Sequence, residues 1–129
     1  MKQIWIIDDD EEMIGAVQLM LKMLKHESAS FIGARPAAQA LLSGQRPDLI
    51  ILDVLMPEVS GVDFLEFLRG REEYKDIPVV MLSTEASEVT VERAMTLGAD
   101  TYVTKPVAIN ELDQAMKTAW EAHGMEYQS

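Results

Sequence analysis

The chain contains no cysteine. Disulfides, thiolate metal sites and cysteine nucleophiles are therefore excluded, while a reducing compartment is permitted. Basic residues are scarce as well: 11 Lys and Arg stand against 22 Asp and Glu, for a formal charge of −11. Phosphate backbones and anionic membranes are held by clustered Lys and Arg, so neither nucleic acid nor a membrane is expected as a direct partner. Cations and basic protein patches are favoured instead. No apolar run has the length needed to span a bilayer, and the acids that begin at Asp8 are foreign to a signal peptide, so a cytoplasmic protein is expected. Internal repeats, low-complexity segments and linkers are absent too. At 129 residues, 48% of them hydrophobic, the chain reads as a single domain over residues 1–129 with a core of its own.

What is present is an alternation. Apolar runs of strand length occur at Ile4 to Ile7, Leu49 to Leu52 and Val79 to Leu82, with weaker ones near Ala29 to Ile32 and Thr101 to Val103. Between them lie segments with apolar residues at helical spacing, such as Met13, Val17, Leu21 and Leu24, or Val91, Ala94 and Met95. Gly44, Pro47, Gly61, Gly70, Pro78, Gly98 and Pro106 fall between the elements. Strand and helix alternate five times, which implies an α/β fold with a parallel sheet covered by helices on both faces. The nine methionines fall mostly on helical apolar stripes and are assigned to core packing. His26 and His123 are isolated and expected at the surface.

The segment "IWIIDDDEEM" ends an apolar run in five consecutive acids. Side by side they repel one another and must be solvated, paired or neutralised by a cation. In a doubly wound sheet, polar residues at the carboxyl ends of neighbouring strands gather in one crevice. Asp8 and Asp9 follow the first run, Asp53 follows "LIIL", Ser83 and Thr84 follow "VVML", and Lys105 follows "TYVT". Three carboxylates a few ångströms apart would repel by about 4 kcal/mol per close pair at an effective dielectric near 20. A divalent cation removes that repulsion, and an all-oxygen, partly hydrated site suits Mg²⁺. Asp10, Glu11 and Glu12 are expected instead as favourable charges in the first turn of a helix.

With "IIDDD", "LDVLMPEVSG", "VVMLST" and "YVTKP" in place, the sequence closely resembles the receiver domain of two-component response regulators over about Lys2 to Ala122. The resemblance implies a flavodoxin-like sheet of order 2-1-3-4-5. It implies phosphorylation of Asp53 by a histidine kinase or a histidine phosphotransfer protein, making the chain a switch rather than a turnover enzyme. By similarity, Mg²⁺ is held directly by Asp9, largely through water by Asp8, and by Asp53 and the backbone carbonyl of Leu55. Lys105 would stabilise the phosphoryl group and the Ser83 hydroxyl would bond it. Tyr102 would move inward with that hydroxyl, changing a face formed by the fourth helix, fifth strand and fifth helix that meets a downstream protein or a second copy. The chain departs from the common pattern at Val107, where an aromatic is usual, at Ala108, which has no capping side chain, and at Thr84, bulkier than the usual alanine.

Boundaries at the first strand and just past the fifth helix suit either a stand-alone regulator or a receiver excised from a longer DNA-binding or enzymatic protein. A phosphatase of the haloacid dehalogenase kind, with Asp8 as nucleophile in an Asp-x-Asp pair, is the rival. It is disfavoured because Glu12 stands where that family has threonine and no cap domain is present.

Overall fold

The computed structural model describes residues 2–126. The elements run β1 (Gln3–Asp8), α1 (Glu11–Met23), β2 (Glu27–Ile32), α2 (Ala34–Leu42), β3 (Leu49–Leu52), α3 (Gly61–Arg69), β4 (Val79–Ser83), α4 (Glu88–Thr96), β5 (Thr101–Thr104) and α5 (Ile109–Ala122). All strand pairs are parallel, and the sheet order is β2-β1-β3-β4-β5, as expected. The chain moves outward from β1 to β2 and then crosses back to β3 on the other side of β1. That reversal opens a crevice at the carboxyl ends of β1 and β3.

The period of two along each strand divides the core. Trp5, Ile7, Ile50, Leu52, Val79 and Met81 face α2, α3 and α4, packing on Leu41, Phe64, Leu68 and Ala94. Ile4, Ile6, Leu49, Ile51, Val80 and Leu82 face α1 and α5, packing on Val17, Leu21, Met116 and Trp120. Both faces of β1, β3 and β4 are thus apolar, which is why these strands read as continuous runs, whereas the edge strands β2 and β5 are only partly buried. Each such side chain contributes about 1.5 to 3 kcal/mol by leaving water. Val107 is buried in the second cluster, so the small residue in place of an aromatic serves the core.

Three sequence expectations need correction. Of the described methionines, Met56, Met81 and Met116 are buried, but Met23 and Met95 are 65% and 42% exposed; Met1 lies outside the described residues. Helix α4 buries only Ala94, because it lies beside the edge strand β5, with little sheet beneath it. The histidines are not free surface groups. His26 is half-buried with its ring 5.7 Å from that of Trp120, and burial lowers its pKa. His123 caps α5, and its Nε2 lies 2.9 Å from Asp100 Oδ2. The same Asp100 oxygen accepts from Val79 N (2.8 Å) and Arg69 Nη2 (3.3 Å), while Arg69 also donates to the carbonyls of Lys75, Ile77 and Gly98. This polar knot ties α3, β4 and α5 together at the end of the sheet opposite the crevice.

Candidate functional site

Each acid in "DDDEE" has a separate place. Asp8 is the last residue of β1 and 2% exposed, and its Oδ1 accepts from the Asp10 backbone N–H at 3.0 Å. Asp9 is exposed. Asp10 is the N-cap of α1, its Oδ1 accepting from Glu12 N (3.1 Å) and Met13 N (3.3 Å), and Glu11 and Glu12 occupy the first turn. A cap of this kind is worth about 1 kcal/mol, and the two glutamates interact favourably with the helix dipole. The three acids expected at the helix end are there.

Asp53 follows β3 directly and is 5% exposed. Its backbone N–H continues the ladder to Ile7 O at 3.0 Å, and its Oδ1 accepts from Leu55 N at 3.3 Å. The Leu55 side chain points to solvent at 53% exposure. One oxygen from each of Asp8, Asp9 and Asp53 falls within a 4.8 Å cluster. Lys105 reaches into the same place from beyond β5, its Nζ 2.8 Å from Asp8 Oδ2 and 3.4 Å from Asp53 Oδ2, with 7% of its side chain exposed. The Lys105–Pro106 peptide is cis, and Lys105 N donates to Ser83 O at 3.0 Å.

One ammonium does not balance these carboxylates. Burial raises the Asp8 pKa above its ordinary value, and the Asp53 charge adds to it, so the hydrogen bond from Lys105 fails to bring it back. For Lys105, burial works downward, but the hydrogen bond to Asp8 and the charges of Asp53 and Asp8 carry its pKa upward. The site therefore favours a further positive charge. Clustered carboxylate oxygens, one of them open to water on Asp9, are the donor set a hydrated Mg²⁺ takes.

Ser83 ends β4 fully buried, and its Oγ accepts from Glu85 N at 3.2 Å. The Tyr102 hydroxyl donates to the Glu85 carbonyl, and its half-buried ring packs on the first core cluster. Burial, then the nearby Glu85 charge, raises the Tyr102 pKa. The Glu85 carboxylate accepts from Ser87 N, and Ser87 caps α4. A short hydrogen-bonded path thus runs from Ser83 to the start of α4. Tyr102 is half-buried, with its hydroxyl tied to the loop before α4. Thr84 is exposed, outside this path.

Sequence reasoning missed two features. Gly61 opens α3 so close to the site that a Cβ there would lie 1.8 Å from the Asp53 carbonyl oxygen. The only sequence signal is the glycine closing "LDVLMPEVSG". The second is an Arg35–Glu58 ion pair of 2.9 Å beside Asp9, which no local pattern announces.

A model of the response regulator receiver domain matches residues 4–117. The transcriptional regulatory protein CpxR of Escherichia coli is 37% identical over 113 residues, which are 87% of this chain and 46% of that protein. The phosphate regulon transcriptional regulatory protein PhoB of Pseudomonas aeruginosa is 31% identical over 123 residues, 95% of this chain and 53% of PhoB. The chain spans about half the length of these curated relatives. The chemotaxis protein CheY4 of Vibrio cholerae superposes with a TM-score of 0.83 at 28% identity, covering 92% of this chain and 98% of that one. Fold, sheet order and family match agree, and the chain belongs to the response regulator receiver domains of two-component signalling.

Proposed function

We propose that Asp53 is the phosphoacceptor of this receiver and that its phosphorylation drives a protein-interaction switch. The observation that carries the reading is the Lys105 ammonium lying between Asp8 and Asp53, at 2.8 and 3.4 Å, where the sheet order reverses. An Asp53 carboxylate oxygen attacks the phosphorus of a phosphohistidine on a histidine kinase or phosphotransfer protein. The new P–O bond forms as the P–N bond breaks, and the electron pair leaves with the imidazole, which takes up a proton. Lys105 meets the charge developing on the phosphoryl oxygens. Asp8, Asp9 and Asp53, with the Leu55 carbonyl, would hold Mg²⁺, which supplies further charge neutralisation on those oxygens when bound. The chain works as a switch that carries out only its own phosphorylation and dephosphorylation, and a cytoplasmic setting follows from such a donor. None of its described helices is long and apolar enough to cross a membrane.

Mg²⁺ binding to the folded state alone raises stability by mass action. Millimolar Mg²⁺ is therefore expected to raise the melting temperature, with Asp9→Asn losing most of the increase. A melting curve that ignores Mg²⁺ would remove the metal from this reading.

The output face is α4, β5 and α5. Phosphoryl oxygens on Asp53 give the Ser83 hydroxyl a charged acceptor, a bond worth roughly 1.5 to 3 kcal/mol. Present in one state only, that bond shifts a two-state equilibrium by about tenfold to a hundredfold. Drawing Ser83 toward Asp53 loosens its contact with Glu85, and the path through Tyr102 and Ser87 passes the change to α4. Beryllofluoride, a phosphoryl mimic, should perturb amide signals near Tyr102 and Val91 in the wild type and much less in Ser83→Ala. Equal perturbation in both proteins would show that the hydroxyl does not transmit the signal. The switched face selects a downstream protein, a second copy, or an output domain of the kind that the names of CpxR and PhoB imply for those longer proteins.

A further inference from the structure

A cleft of about 350 Å³ opens between the start of α2 and the loop after β3, with Asp9, Arg35, Pro57 and Glu58 among its walls. Arg35 is the one cation among the described residues that line it. Its Nε lies 2.9 Å from Glu58 Oε2, and both side chains are largely exposed, at 72% and 68%. An exposed pair of this kind is weak and opens readily. Glu58 is held in the left-handed region at φ 68°, an uncommon conformation for a non-glycine residue that brings its carboxylate to the mouth of the cleft.

The charges around this mouth set a problem for any phosphoryl donor. Lys105 together with a divalent cation, when bound, would balance Asp8, Asp9 and Asp53, so the loaded site would have no surplus positive charge to draw in a dianion. The donor must also pass Asp10, Glu11 and Glu12 on a chain of net charge −11. Lys105, 7% exposed and bonded to two carboxylates, cannot reach out to meet it. Arg35 can. A guanidinium carries five N–H donors in a planar fork suited to phosphoryl oxygens, and Glu58 takes Nε, one of the five.

We propose that Arg35 is a positioning residue for phosphoryl transfer, attracting the phosphoryl oxygens of a small dianionic acyl phosphate to the mouth of the cleft beside Asp9. This rests on Asp53 being the phosphoacceptor. In the step it assists, an Asp53 oxygen bonds to phosphorus as the P–O bond to the acyl group breaks, and the carboxylate leaves with the electron pair.

The test is the apparent second-order rate constant for phosphorylation by acetyl phosphate at saturating Mg²⁺. Arg35→Ala is expected to lower it roughly threefold to tenfold, and Arg35→Lys, which restores the charge without the planar fork, to recover part of that loss. Added salt should shrink the difference between wild type and Arg35→Ala, because exposed charges are screened. Equal rates in wild type and Arg35→Ala would overturn the proposal, as would Arg35→Lys failing as badly as Arg35→Ala. The rise in melting temperature with Mg²⁺ should be the same in all three proteins. If Arg35→Ala loses it, Arg35 acts through the metal and the proposal falls. A wild-type chain that takes up no phosphoryl group would remove the phosphoacceptor reading itself, and this inference with it.

Discussion

Gly61→Ala is expected to lower the melting temperature by roughly 5 to 15 °C and to slow phosphorylation of Asp53 at the same time. An added Cβ would lie 1.8 Å from the Asp53 carbonyl oxygen and 2.7 Å from its carbonyl carbon. Both are backbone atoms, so no side chain can turn aside to make room. Either α3 retreats, opening the packing of Val62, Phe64 and Leu65, or the chain at Asp53 shifts and carries its carboxylate off Lys105. The Gly61 N–H also donates to Val54 O at 3.0 Å, which holds the two segments together while the clash drives them apart. Thermal melting and the phosphorylation rate read the two consequences separately. A Gly61→Ala protein as stable and as quickly phosphorylated as the wild type would contradict the close approach.

The second large effect is at Lys105. Lys105→Ala should slow phosphoryl uptake about a hundredfold to a thousandfold, the scale seen when one preorganised group facing developing charge is removed. The same change takes a cation away from Asp8 and Asp53, leaving two buried carboxylates less balanced. Without Mg²⁺ the variant should therefore melt below the wild type, and Mg²⁺ should raise its melting temperature by more than it raises that of the wild type. Slow uptake with retained Mg²⁺ stabilisation separates loss of Lys105 chemistry from loss of the metal. Uptake within threefold of wild type, by contrast, would mean that Lys105 serves structure alone.

Much of this arrangement is legible before any coordinates. The strand ends at Asp8, Asp53 and Ser83 could be found because buried parallel strands are continuous apolar runs, and the first polar residue after each run marks its carboxyl end; Lys105 follows the half-buried β5 and is marked by the motif "YVTKP" instead. Asp10 could be separated from Asp8 and Asp9 because a helix start favours a capping oxygen and early acids. The sheet order came from resemblance, since periodicity is blind to which strands become neighbours. Other features depend on distances between segments remote in sequence. Arg69 gathers carbonyls from Lys75, Ile77 and Gly98, His123 meets Asp100 across 23 residues, and Arg35 meets Glu58 across the cleft. Helix α4 misled for a different reason: Val91 and Met95 have helical spacing, but the edge position of β5 leaves too little sheet to bury them.

The central claim is that Asp53 accepts the phosphoryl group, and the most direct test is the intact mass of the chain after incubation with acetyl phosphate and Mg²⁺. The mass should rise by one phosphoryl group, the adduct should be labile to base and to hydroxylamine as an acyl phosphate is, and Asp53→Ala should show no rise. An Asp53→Ala protein that still gains the group, or a wild-type chain that never does, would contradict it.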